Sequence, residues 1–202
     1  IITKSGLDSP KPTGNISGGY GSFKSPQGEI NVGSGSHNVG DFLSFTGLRT
    51  ERFLDPPELD GLHDTGTSRS LFNRLDLHPN DSNSLHLNVQ VARSSFDVPN
   101  TLDQEDAGQD QHQTIDTVNI APGYTRILGS SALLTANLYV RRDHLTYTPS
   151  ADPFADTPAT VPAMSSIRFT LLVGAATSTR PGYRNMVTNA TSSRFSAAIW
   201  MV

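Results

Sequence analysis

Leu85-His86-Leu87-Asn88-Val89-Gln90-Val91 alternates apolar and polar residues without a break. Successive side chains of a β-strand point to opposite faces, so this heptapeptide has one greasy edge and one wet edge. Upstream, Ser70 to Leu77 repeats the pattern, with Leu71, Leu75 and Leu77 against Arg74 and Asp76. Asp41 to Phe53 is another extended run, with Leu43 and Phe45 opposed by Ser44 and Thr46. Thr13 to Phe23 and Glu29 to Ser36 are Gly-rich and predict a hairpin around Lys24-Ser25-Pro26-Gln27-Gly28. Downstream, Thr114 to Arg126 is a weaker strand. Ala132 to Arg141 is a clear one, with Ala132, Leu134, Ala136, Leu138 and Val140 opposed by Thr135, Asn137, Tyr139 and Arg141. Several of these runs are about ten residues long, the length a tilted strand needs to cross a bilayer.

The connections sort as clearly as the strands. His37-Asn38-Val39-Gly40, His78 to Asn83 and Leu128-Gly129-Ser130-Ser131 read as tight turns. Leu54 to Thr67, Asp97 to Gln113 and the stretch from Thr148 onward are long and polar. Short and long connections therefore alternate. In an up-and-down sheet every second connection lies at the same end, which gives one end of tight turns and one of large loops. Outer-membrane barrels have this asymmetry, with short periplasmic turns and long extracellular loops. The expected fold class is all-β, an antiparallel up-and-down meander forming a partial transmembrane β-barrel. On this reading Leu85, Leu87, Val89, Val91, Leu134, Leu138 and Val140 face lipid. His86, Asn88, Gln90, Thr135, Asn137 and Tyr139 face the lumen.

Composition is compatible with that expectation and narrows the alternatives. The 202 residues are 35% hydrophobic, with a mean hydropathy of -0.33. Barrel strands are apolar only on alternate residues, so a low average does not exclude them. No run of 18 apolar residues predicts a transmembrane helix. Cysteine is absent, which excludes disulfides, thiolate metal sites and cysteine nucleophiles. The net charge is -4 and all three lysines (Lys4, Lys11, Lys24) lie in the first 24 residues. That is the wrong balance for a phosphate-binding surface, and no nucleic-acid partner is expected. The opening Ile1-Ile2-Thr3-Lys4-Ser5-Gly6 has neither an initiating Met nor the apolar core of a signal peptide. The chain is read as starting inside a larger protein.

Chemistry-bearing motifs are weak. Asp103, Glu105, Asp106 and Asp110 sit near His112 and could offer oxygens to calcium, but EF-hand spacing is absent, and a solvated acidic loop is the expectation. The six histidines (37, 63, 78, 86, 112, 144) are scattered without metal-ligand spacing. Gly14 and Gly18-Gly19-Tyr20-Gly21 precede no helix, so they predict a crowded first strand and not a phosphate loop. Arg141-Arg142-Asp143-His144 reads as a polar rim. No Gly-x-Ser-x-Gly elbow is present. No catalytic residue, cofactor or metal is expected, and the chain does not read as an enzyme.

The opening hexapeptide also resembles the end of the plug domain of TonB-dependent receptors, where the chain enters the barrel. Gly18-Gly19-Tyr20-Gly21-Ser22-Phe23 is similar to that family's first barrel strand. Phe42-Leu43-Ser44-Phe45-Thr46-Gly47 is similar to a strand rising into a long loop. The resemblance covers about residues 1 to 150. It implies residues 1–6 as the plug's end, residues 13–147 as early barrel strands, and extracellular loops at about 54–67 and 97–113. It implies a receptor taking up an iron chelate, cobalamin or carbohydrate across the outer membrane. The implied partners are outer-membrane lipid, the remainder of the receptor, and a TonB-type energy-coupling protein. The energy-coupling box and most of the plug are missing, so the chain reads as a fragment. The competing expectation is a soluble β-rich carbohydrate- or protein-binding module.

Residues 148–202 form a loop and a C-terminal segment of a different character. All 19 acidic residues precede or include Asp156, while all three Met and the single Trp follow it. Two readings stand: further strands over Ile167 to Ala176 and Arg194 to Val202, or sequence that is not native to the family after about residue 161.

Overall fold

The computed structural model describes residues 4–7, 9–57, 59, 62–129, 132–152 and 154–156, together with the backbone of two strands at 163–177 and 190–201. Ile1-Ile2-Thr3 of the expected plug end lies outside the described residues. So do the side chains of the expected late strands.

Period-two patterning becomes one antiparallel sheet. Its strands are β1 (Thr13–Gly21), β2 (Ser25–Gly35), β3 (Val39–Thr50), β4 (Gly66–Asn80), β5 (Asn83–Asp97), β6 (His112–Leu128), β7 (Ala132–Thr148), β8 (Ala163–Thr177) and β9 (Ala190–Met201). The spatial order is the sequence order, so each strand pairs with its chain neighbours alone. The fold is an all-β, up-and-down meander, seven of whose strands lie between Thr13 and Thr148. The sheet is not closed: β1 and β9 are its two edges. Among the described residues the single helix, α1 (Leu102–Asp106), has five residues.

Strands overrun the alternating stretches that predict them. β5 has 15 residues and β7 has 17, against the heptapeptide 85–91 and the run 132–141. Ladder hydrogen bonds continue past the apolar rows because the partner strands extend equally far, with Asp97 opposite His112 and His112 opposite Thr148. The weaker reading of β6 has a local cause. Ala121 and Pro122 have no Cα partners in β7, although pairing holds on both sides, at Ile120↔Val140 and Gly123↔Asn137. Proline has no N–H to give to the ladder.

The first hairpin turns earlier than its Gly and Pro residues suggest. Its turn is Ser22–Lys24, with positive φ at Phe23 (57°) and Lys24 (48°). Positive φ at two successive central residues is the mark of a type I′ turn. Ser25 Oγ donates to the Ser22 carbonyl at 2.6 Å and holds the turn. Pro26 is tolerated inside β2 because the pairing with β3 starts after it, at Gln27↔Leu48.

Loop lengths segregate by end. The connections 36–38, 81–82 and 129–131 lie at one end, which we call the turn end. The connections 51–65, 98–111 and 149–162 lie at the other, the loop end. The short Ser22–Lys24 turn, at the loop end, is an exception; residues 178–189 lie outside the described residues.

Burial is inverted relative to a soluble domain. Phe96 is the one buried hydrophobic side chain among the described residues. Apart from glycines, the other buried residues are polar: Asn31, Thr50, Asp64, Asp76, Asn100, Gln109, Gln111 and Ser150. Ile16, Ile30, Val32, Leu43, Phe45, Leu71, Val91, Val118 and Ile120 are exposed.

Candidate functional site

Cross-strand register decides which residues share a face. Leu71 lies opposite Val91, and Val91 opposite Val118. Leu77 pairs with Leu85, which pairs with Tyr124, which pairs with Ala136. Following these rows outward, Val39, Leu43 and Phe45 of β3, Ile30 and Val32 of β2 and Ile16 of β1 join the same face. So do Leu85, Leu87, Val89, Val91, Leu134, Leu138 and Val140. His86, Asn88, Gln90, Thr135, Asn137 and Tyr139 all stand on the opposite face. The backbone pairing of β8 continues the order, with Phe169 opposite Val140 and Leu171 opposite Leu138.

The apolar face has a defined height. On β5 it runs from Leu85 to Val91, about 20 Å along the strand at roughly 3.3 Å per residue. Toward the loop end a charged row closes it, with Arg69 opposite Arg93 and Arg93 opposite Asp116. Arg93 and Asp116 approach to 3.7 Å. Within the band the polar exceptions Asp41 and Asn73 satisfy each other, since Asn73 Nδ2 donates to Asp41 Oδ1 at 2.7 Å.

The opposite face is a connected polar surface. Tyr139 OH donates to Asn119 Oδ1 at 3.0 Å, Asn119 Nδ2 to Gln90 Oε1 at 2.9 Å, and Gln90 Nε2 to Ser70 Oγ at 3.3 Å. One hydrogen-bonded line thus crosses β4 to β7. Arg74 grips the buried Asp76 through Nε and Nη2 at 2.8–3.0 Å. Arg141 Nε and Thr117 Oγ1 both donate to Asp143, at 2.7 and 2.8 Å. Five of the six residues expected to face a lumen (His86, Asn88, Gln90, Asn137, Tyr139) line one open concavity of about 760 Å³ with Arg74, Asn119 and Arg141. Thr135 stands on the same face, nearer the turn end.

Sequence reasoning missed what lies across this face. Ser5 Oγ donates to Asp76 Oδ2, and Lys4 lines a second concavity with Glu29, Asn31 and Phe42. The segment preceding β1 therefore crosses the polar face. Of the first-strand glycines expected to be crowded, Gly14 is, since an added Cβ would run into the Asn31 carbonyl oxygen; Gly18, Gly19 and Gly21 are not, because there it would meet ordinary or slightly tight neighbours. Gly35 and Gly40 are crowded as well: an added Cβ would run into the Val39 and Gly6 carbonyl oxygens at Gly35 and into the Leu7 nitrogen at Gly40. The one available signal was Asp76, an acid set between two leucines.

At the loop end, side chains hold backbone. Asp64 Oδ1 accepts from Phe53 N and Leu54 N at 3.1 and 2.8 Å. Phe53 stacks on Phe96 with centroids 5.0 Å apart. Thr101 and Gln104 form a capping box on α1. Asp103, Glu105 and Asp106 stay exposed, while Asp110 leaves that group to reach His63 and His112. Asp156 accepts from Ser150 Oγ at 2.6 Å and from Gln111 Nε2 at 2.7 Å. These bonds, the Ser150 hydroxyl first, hold its carboxyl below the ordinary aspartate range.

The sheet thus carries an apolar band on one side, a hydrogen-bonded polar wall on the other and long connections gathered at one end. Compared with known proteins, the chain matches no family model and no curated protein.

Proposed function

We propose that this sheet is part of the wall of an outer-membrane β-barrel, the early strands of a TonB-dependent receptor that takes up a scarce nutrient such as an iron chelate, cobalamin or a carbohydrate. The observation that carries the reading is the inverted burial: apolar side chains cover the outside of the sheet, and polar side chains are its buried ones. Fully burying one Val, Leu, Ile or Phe side chain is worth roughly 1.5–3 kcal/mol, so a face of this extent left in water is costly. Lipid is the medium that relieves the cost, and a sheet meets the bilayer's other demand by pairing its backbone groups internally. Segregated loops and a polar surface crossed by the segment at Lys4–Leu7 support the same reading, with that segment entering from a plug in the lumen. The partners on this proposal are outer-membrane lipid, the remainder of the receptor along the two sheet edges, and a TonB-type coupling protein.

A soluble β-sandwich would bury its apolar face against a second sheet. The described strands form one sheet. Enzymatic chemistry has no support on the polar face, where the acids Asp76 and Asp143 are occupied by arginines.

Expression of residues 1–202 alone tests the proposal. Open edges are not tolerated in a bilayer, so the isolated chain should aggregate or require detergent, and should bind no iron chelate or sugar. A soluble monomer that melts cooperatively without detergent would overturn it.

A further inference from the structure

We infer that the loop end holds a binding site for a divalent transition-metal ion of the zinc class, built from His63, His112, Asp110 and Asp97. The inference goes beyond the membrane reading and rests on none of it, because all four residues sit in or beside the connections and not on the apolar band.

Three segments bring the group together. Asp97 ends β5 and His112 begins β6, and the two are Cα partners in the ladder. Sheet register alone therefore places the Asp97 carboxylate 2.7 Å from His112 Nδ1. The other ring nitrogen, His112 Nε2, lies 3.0 Å from Asp110 Oδ1. His63 arrives from the connection between β3 and β4, and its Nε2 lies 3.2 Å from that same Asp110 oxygen. It is also 3.2 Å from the Gln111 carbonyl oxygen. The two imidazole rings are 5.3 Å apart. One donor atom from each of His63, Asp97 and His112 fits within a mutual separation of 4.8 Å.

Each of these spacings is an ordinary polar contact length, and together they converge closely enough to be drawn onto a shared cation. With bonds of about 2.0–2.2 Å to nitrogen and oxygen, two ligands of a tetrahedral zinc lie about 3.3–3.6 Å apart. The two Nε2–Oδ1 separations, 3.0 and 3.2 Å, are within a few tenths of that. Asp97 then does what carboxylates do behind metal-bound histidines: it accepts the proton of Nδ1 and turns Nε2 toward the ion. Two carboxylates and two neutral imidazoles balance a +2 charge. Imidazole donors select zinc, copper or nickel over calcium and magnesium, which favour all-oxygen sites. The His63 side chain is 13% exposed and Asp110 60%, so the site is closed on one side and open to solvent on the other. That leaves room for water or an incoming ligand in the remaining position.

The test is titration of the full chain, folded in detergent, with Co²⁺ followed by Zn²⁺ competition. One equivalent of Co²⁺ should give the visible absorption of a four-coordinate nitrogen–oxygen site, and Zn²⁺ should displace it. His63→Gln and His112→Gln should each abolish the band while the β-type circular dichroism is retained. Asp97→Asn, which keeps a hydrogen-bonding group in place, should weaken binding about 10–100-fold. His37→Ala with His78→Ala, a ring pair 6.4 Å apart at the turn end, should change nothing. No saturable one-to-one binding, or equal binding in the His63 and His112 variants, would overturn the assignment. A failure here would leave the detergent requirement untouched, and a soluble chain with an intact cobalt spectrum would remove only the membrane proposal.

Discussion

The band from Leu85 to Val91 and the loop end above it use hydrophobic residues in opposite ways. In the band, apolar side chains project outward, where they touch few protein atoms, and cohesion comes from the ladder and from the polar line Ser70–Gln90–Asn119–Tyr139. At the loop end a small protein-like interior exists. Phe96 is buried against Phe53, and Asp64, Asn100 and Ser150 are buried around connections that have no ladder. The difference teaches that each region is stabilised by what its surroundings lack. A sheet satisfies its own backbone and leaves its apolar face to an external medium. A long loop has unpaired N–H groups and must bring in carboxylates to meet them.

The largest effect that would break this comparison is a charge on the band. Val89→Arg should cost about 2–4 kcal/mol in folding into lipid vesicles if Val89 sits near the bilayer midplane. Asn88→Arg, one residue along and on the polar face, should be far milder. Equal costs at the two positions would mean that the faces do not see different media.

A smaller, local effect is expected at the loop end. Asp64→Ala removes the acceptor for Leu54 N, while Phe53 N keeps its 2.9 Å bond to the Asp64 carbonyl oxygen, and should cost about 1–3 kcal/mol. Hydrogen exchange should accelerate at Leu54 and leave β5 to β7 protected. Loss of protection throughout the sheet would show that the two regions are not separate.

The smallest effect is with pH. The Asp156 carboxyl is held below its ordinary value of 3.8 by Ser150 and Gln111. Its contribution is therefore complete above that value and disappears as pH falls through the lowered one. Acidification through that lowered value should open the clasp between residues 111, 150 and 156, read as faster exchange at Asp110 N, which donates to Ser150 Oγ. The ladder should not respond. An opening centred near neutral pH would rule out this carboxylate as the cause.

Much of the fold was legible because strand periodicity is a local property. Leu85–Val91 and Ala132–Arg141 carry their faces in their own spelling, and the turns near 38, 80 and 129 follow from short polar breaks. The first hairpin misled because Gly28 and Pro26 look like turn residues, whereas the turn uses Phe23 and Lys24 at positive φ. Propensity there yields to the register with β3. The metal-ligand cluster was illegible because His63 and His112 are separated by an entire hairpin.

The amino-acid sequence by itself determined the all-β class, the two-faced strands, the sorting of short and long connections, and the lack of thiol chemistry. Each depends on neighbours one or two residues apart. Only the tertiary structure decided that Asp76 is buried beneath Ser5, that Gly35 and Gly40 make room for the segment before β1, and that His63, Asp97, Asp110 and His112 meet. Those contacts join residues distant along the chain, and no local period encodes them: they exist because the cross-strand register stacks nine strands in order and brings the ends of β5 and β6 under the connection that follows β3.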